Sequence, residues 1–230
     1  MSHVGVCYQI LSYPLREGDP VFPGNPPLQI KQLCGFDKGD SCNTYEFSVC
    51  NHNGTHIDAP RHYYREGRPV STYEVGDLIF SRPQLVDIRK RPGELVEPDD
   101  FQGKATLRRE TDILLLRTGF SVKRTFPSYL DGPVLTLEAT RYIKAGCPAL
   151  RCIGLDYLSI TNPRFRDIGE AVHRLLLDDK PNAHAILIIE DMDLQAVDPM
   201  QKFERVFVVP WYIEGMDGGP CTVFGEYHER

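Results

Sequence analysis

Apolar and polar residues alternate through Thr44-Tyr-Glu-Phe-Ser-Val-Cys50: Tyr45, Phe47 and Val49 are apolar, and Glu46, Ser48 and Cys50 are polar or small. A period of two belongs to a half-buried strand, because successive side chains leave on opposite faces. Continued in the same register, it places His52, Gly54, His56, Asp58, Pro60 and His62 on one face. A helix would also bring His52 and His56 together, but Gly54, the β-branched Thr55 and Ile57, and Pro60 all oppose one. The pattern predicts a strand running into a loop across residues 43–62.

Elsewhere the pattern is of two kinds. Residues 112–119, 152–156 and 185–189 are nearly continuous apolar runs, as in strands buried on both faces. Residues 136–146 read as a helix, with Thr136 as N-cap, Glu138 at the positive end and Gly146 as the stop. Residues 167–177 read as a second helix, with Asp167 and Glu170 at capping-box spacing and a stripe of Ile168, Val172, Leu175 and Leu176. Strand, helix and strand in succession imply a crossover and parallel pairing. The early segments, 6–13, 28–35 and 43–51, read as strands, the last two forming an antiparallel pair. Short apolar runs at 78–80 and 84–88 and a last core strand at 206–213 complete the set. The expected fold is α/β: a single β-rich domain over residues 1–230, with a mixed sheet and a few helices.

Composition narrows the function. A formal net charge of −6 gives no reason to expect nucleic acid or an anionic membrane as partner, and no apolar run approaches the ~20 residues of a membrane span. Met1-Ser2-His3 leads straight into a strand-like segment without the basic start and apolar core of a signal peptide. Seven cysteines, odd in number and without C-x-x-C spacing, suit reduced thiols in the cytoplasm.

The chemistry concentrates in residues 52–62. Neutral imidazole and carboxylate form a ligand set for Zn²⁺, Mn²⁺ or Fe²⁺, and a cysteine-free set of three leaves a position open for water. A solvated strand edge would account for isolated histidines, but poorly for His52, His56, Asp58 and His62 within so short a stretch. Other residues stay open on sequence alone. His173 reads as an ordinary surface histidine, Glu190 as either a solvated strand end or a ligand, and Asp156 as a turn former outside the site. Residues 14–27, rich in proline and glycine, read as a stiff loop.

His52-x-Gly54-Thr55-His56-x-Asp58-x-Pro60-x-His62 is identified as the signature of the cyclase-like metal-dependent hydrolases, the family of bacterial kynurenine formamidases and isatin hydrolases. The family's fold is similar to the one expected above. The resemblance implies one or two divalent ions, Zn²⁺ or Mn²⁺, held by His52, His56 and Asp58 with His173 and Glu190. It implies His62 as the catalytic acid–base, Phe22 beside the substrate, and a homodimer or higher oligomer. His173 lies before an interval that is longer than in the formamidases, through Asp178–Asn182. His184 competes for its role, but sits about 20 Å from Glu190 along an extended strand.

A bound divalent ion lowers the pKa of its water toward ~7, and imidazole suits proton transfer near neutrality. The implied activity is that of a metal-dependent amidohydrolase, cleaving an amide, formamide or lactam in a small ring-bearing substrate. Phe22 stands where kynurenine formamidases have tryptophan, which argues against that substrate. A kynurenine formamidase proper, a lyase or cyclase on a similar carbonyl compound, and a metal-stabilised binding protein are the alternatives. The unliganded His62 speaks against the last.

Overall fold

The computed structural model describes residues 5–102, 106–181 and 183–228. The reading of Met1–His3 and the end of the late loop, Asn182, lie outside them. The strands are β1 (Val6–Ile10), β2 (Gln29–Cys34), β3 (Thr44–Ser48), β4 (His56–Asp58), β5 (Ile79–Phe80), β6 (Pro83–Asp87), β7 (Leu95–Val96), β8 (Ile113–Arg117), β9 (Val134–Leu135), β10 (Cys152–Leu155), β11 (Leu187–Glu190), β12 (Arg205–Pro210) and β13 (Gly218–His228). The α-helices among the described residues are α1 (Leu137–Gly146) and α2 (Arg166–Leu176).

The apolar runs lie together in the middle of one mixed sheet, ordered β5-β12-β13-β4-β11-β10-β8-β6, with β1 also paired to β13. Strands β6, β8, β10 and β11 run parallel, and α2 makes the crossover between β10 and β11. Strand β8 shows why these runs lack polar residues. Leu114 and Leu116 pack with Ile143 of α1 and Val172 and Leu176 of α2. Ile113 and Leu115 pack on the other side with Phe80, Val206 and Val208. Each such leucine, fully buried, contributes roughly 1.5–3 kcal/mol. Because β12 shares this second core with β8, the far end of the sheet folds back over its own centre.

Capping follows sequence in one helix and departs from it in the other. Thr136 Oγ1 accepts from Ala139 N at 3.1 Å and α1 ends at Gly146, as expected. At α2 the N-cap position falls on Phe165, no side chain caps it, and Asp167 is merely an acid in the first turn. The capping-box reading of Asp167 and Glu170 is therefore corrected: the helix begins one residue before the proposed cap.

Three strand readings also change. β3 is exposed along its whole length and pairs only with β2, in a separate two-stranded sheet, so it is not half-buried. The alternation does not run on to His62 either, because a turn at residues 51–55 and a 3₁₀ turn at Pro60–His62 interrupt it. Finally, the strand read at 206–213 is not the last: Gly218 opens the eleven-residue β13, which pairs with β4, β12 and β1. Gly218, Gly219 and Pro220 depress strand propensity, which hides it.

Candidate metal centre and its cavity

Backbone register brings the chemistry together. β4 lies between β11 and β13, with His56 opposite Glu190 and Pro220, and Asp58 opposite Ile188 and Gly218. Facing residues of an antiparallel pair have Cβ atoms about 5 Å apart, so Glu190 stands beside His56. His56 and Asp58 leave one face of β4 while Ile57 enters the core. Period two thus holds for His56 and Asp58 only.

His52 arrives through the 51–55 turn. Gly54 there has φ +67, and a Cβ on it would strike Leu15, so the glycine serves the turn rather than close approach to a metal. His62 arrives through the 3₁₀ turn begun by Pro60. His173 comes from α2, which approaches residue 161 closely because residue 169 is glycine: a Cβ at Gly169 would stand 2.5 Å from Thr161 Cα. Gly169→Ala is therefore expected to cost about 1–3 kcal/mol by thermal melting and to displace His173. An unchanged melting curve would contradict this.

His56, Asp58, His173 and Glu190 are all at most 3% exposed. His56 Nε2 is 3.5 Å from Asp58 Oδ1 and 3.4 Å from Glu190 Oε2; His173 Nε2 is 3.6 Å from Asp58 Oδ2 and 3.5 Å from Glu190 Oε1. These separations are too long for good hydrogen bonds. They suit two ligands of one small cation, since atoms ~2.1 Å from a tetrahedral ion are about 3.4 Å apart. The opposite nitrogens are locked: His56 Nδ1 donates to Gly54 O and His173 Nδ1 to Gly169 O, both at 2.8 Å. That fixes the tautomer whose Nε2 lone pair faces the carboxylates. Asp58 Oδ2 is buried without a hydrogen-bond partner, an orphan that a cation would satisfy. Ligand atoms of His52, His56 and Asp58 lie within 4.8 Å of one another, as do those of Asp58, His62 and His173. The residues fit a divalent ion.

Asp217 carries no signal of a role in the sequence, and the structure places it in the site. Its Oδ2 is 2.9 Å from His62 Nδ1 and 3.0 Å from His52 Nε2, and Asn51 Nδ2 donates to its Oδ1 at 2.8 Å. Its place next to Gly218, which pairs with Asp58, carries it there. Tyr63 carries no such signal either; its ring stacks on His173 at 4.7 Å.

Together with Phe22, Asn25, Tyr63, Arg166 and Glu170, the centre lines a cavity of about 260 Å³. Phe22 lies on the 14–27 loop, which Arg124 ties down by bonding both Asp19 and the buried Asp191 beside Glu190. His184 is not among the lining residues, and its Nε2 meets Leu150 O instead. Asp156 accepts from the backbone of Thr118 and Gly119, a loop tie outside the centre.

Residues 10–162 match the family model described as Cyclase. The chain belongs to the cyclase family. A kynurenine formamidase of Geobacillus thermodenitrificans is 29% identical over 213 residues, covering 91% of this chain and 92% of that protein. An isatin hydrolase A from Labrenzia aggregata, solved with benzyl benzoate, superposes with TM-score 0.80 at 18% identity over 97% of this chain and 94% of the other. A structure described as a potential metal-dependent hydrolase with cyclase activity gives TM-score 0.73 at 22% identity, covering 98% and 100%. At those identities the structural likeness shows the fold.

The charges of this cyclase-family centre bear on its stability. Burial works against a charged His52, but Asp58 and Asp217 outweigh it and push the imidazole up to about 11. At His173 burial is likewise outweighed by Asp58 and Glu190, giving about 10. Burial would raise Glu190, yet His173 and His56 bring it down to about 2. Protons on the imidazoles here do for the carboxylates what a cation would do. In chelator-stripped protein the raised imidazoles therefore add stability that is complete below their unfolded value of about 6.5 and is lost as pH rises toward 10–11. Glu190 adds stability above its unfolded value that is lost as pH falls toward 2. Stripped protein should thus melt at lower temperature at pH 9 than at pH 6.5. Restored metal should flatten that slope, because metal replaces the protons. Scanning calorimetry with and without metal decides it, and a stripped protein indifferent to pH over this range would refute it.

Proposed function

We propose that the chain is a metal-dependent hydrolase of an amide, formamide or lactam bond in a small ring-bearing substrate. The observation that carries this reading is the pair of buried imidazoles, His56 and His173, each with Nε2 set 3.4–3.6 Å from oxygens of both Asp58 and Glu190. The names of the relatives, a formamidase and an isatin hydrolase, point to the same C–N chemistry. His52, His56, Asp58, His173 and Glu190 would hold the metal, Zn²⁺ or Mn²⁺, as one or two ions. A divalent ion so held supplies a more acidic water and a positive charge for a developing oxyanion.

The chain's own residues do the rest. His62 Nδ1 is engaged by Asp217, which leaves Nε2 on the cavity side to take a proton from the attacking water and give it to the leaving nitrogen. Ser159 Oγ and Ile160 N donate to Glu190 Oε1 at 3.1 and 2.7 Å and hold that carboxylate in place. Phe22 offers a flat apolar wall without an indole N–H, so N-formylkynurenine is not expected to be the best substrate. Metal analysis of protein purified without chelator, followed by assay on N-formylkynurenine, isatin and simple cyclic amides, tests the reading. Protein that binds no divalent metal, or hydrolyses none of these when loaded, would overturn it.

The working unit we infer is a homodimer or higher oligomer. β2 and β3 form a two-stranded sheet of their own, and such a hairpin is marginal in water by itself. Ile30, Tyr45 and Phe47 are exposed on it and line an apolar groove with Trp211, which a second copy would cover. Light scattering giving a monomer at micromolar concentration would exclude this.

A further inference from the structure

Arg166, Glu170 and His173 stand four and then three residues apart on α2, so they share one helix face, and all three line the cavity. Seven residues of helix separate Arg166 from His173, about 10 Å along the axis. His173 is at the buried floor of the cavity, whereas Arg166 and Glu170 are exposed at its mouth. Among the described residues neither is in an ion pair, and they do not pair with each other; the contact Arg166 makes is with the Phe22 ring, 5.5 Å from guanidinium carbon to centroid.

An exposed arginine without a carboxylate partner is often simply solvated. Here, however, the guanidinium and the ring it faces are both wall of the cavity that leads to the candidate metal centre. The ring presents a flat surface to an aromatic substrate, and the guanidinium keeps its N–H donors free for a planar anion. Glu170 is the exposed acid at the same mouth, and Arg166 is the cation there that offsets its repulsion of an anionic substrate.

We propose that Arg166 sets substrate preference by receiving a carboxylate carried by the substrate on the far side of its ring from the scissile C–N bond. The proposal rests on the hydrolase reading above and names the substrate class within it. The carboxylate has two sources: a simple aromatic acid, or the head of an amino acid whose ammonium group then pairs with Glu170.

The test compares three formamides with the same scissile bond: 4-formamidobenzoate, its neutral analogue 4-formamidobenzamide, and 4-formamidophenylalanine. The wild type is expected to prefer 4-formamidobenzoate or 4-formamidophenylalanine over the neutral compound in kcat/KM. In Arg166→Gln that preference should fall about tenfold or more, chiefly through KM, and Arg166→Lys should retain part of it. Arg141→Gln, which removes an exposed charge from α1 beside Glu138, should leave the preference as it was. In Glu170→Gln, loss for 4-formamidophenylalanine alone assigns the amino-acid head, and gain for 4-formamidobenzoate alone assigns the simple acid. A wild type without preference for the carboxylate, or an Arg166→Gln variant that keeps it, overturns the proposal. If the wild type hydrolyses none of the three, calorimetric binding of the same compounds to metal-loaded protein still decides the role of Arg166. Tighter binding of the carboxylates by the wild type than by Arg166→Gln sustains it, and equal binding ends it.

Discussion

Asp58→Asn is expected to strip the protein of its divalent metal and abolish hydrolysis while leaving the fold in place. Asp58 is 1% exposed and lies among three imidazoles: His52 Nδ1 at 2.8 Å and His56 Nε2 at 3.5 Å from Oδ1, and His173 Nε2 at 3.6 Å from Oδ2. Asparagine keeps the shape but removes the charge and turns one oxygen into a donor, aimed where a cation would sit. Changing even an outer neighbour of a metal ligand costs about 10–100-fold in affinity, and a central anionic ligand should cost more. Alanine is the poorer probe, because removing one partner of a buried charge cluster costs about 3–5 kcal/mol and could unfold the protein. Elemental analysis after dialysis, with circular dichroism as the control for fold, reads the result. Metal retained at wild-type stoichiometry in a folded Asp58→Asn would remove the centre from consideration.

Legibility in the sequence followed the physics of burial. The central strands could be read because a strand covered on both faces admits no polar residue, and β8, at 0% exposure from Ile113 to Leu116, is the clearest case. β3 was misread for the converse reason. Alternation reports that two faces differ in composition, whereas Tyr45 and Phe47 remain 52% and 55% exposed. The signature histidines could be picked out as a group, but not the geometry that joins them, since the turn at Gly54 and the 3₁₀ turn at Pro60 do what one extended strand was expected to do. His173 looked like a surface residue because its helix stripe reads correctly without it. It closes the same buried face as Gly169, Val172 and Leu176, at i, i+3, i+4 and i+7, and the missing side chain at Gly169 hides from the sequence that the stripe extends to it. Asp217 had no local signal beyond an Asp-Gly turn. Its role depends on β13 pairing with β4, a contact across some 160 residues that no local pattern encodes.

That contact leads to the second large effect. His62→Ala is expected to keep its metal and lose roughly 10²–10⁴ in kcat, the usual worth of a positioned acid–base group. Asp217→Asn should approach the same loss. Asp217 Oδ2 accepts from His62 Nδ1 at 2.9 Å, so the carboxylate both orients the ring and keeps the proton off the cavity-facing nitrogen. An amide at this position can donate to Nδ1 instead, stabilising the tautomer whose Nε2 carries the proton and cannot accept another. KM should move far less than kcat for both variants, since the group acts mainly in the transition state. Because the two residues act as a unit, the double variant should be scarcely slower than His62→Ala alone, a coupling that independent roles would not produce. Asp217 also meets His52 Nε2 at 3.0 Å, and His62 itself lies within ligand reach of Asp58 and His173. Metal content therefore has to be measured beside turnover. If metal falls in His62→Ala as it does in Asp58→Asn, His62 is a ligand; if the two kinetic losses multiply in the double variant, Asp217 acts on something other than His62.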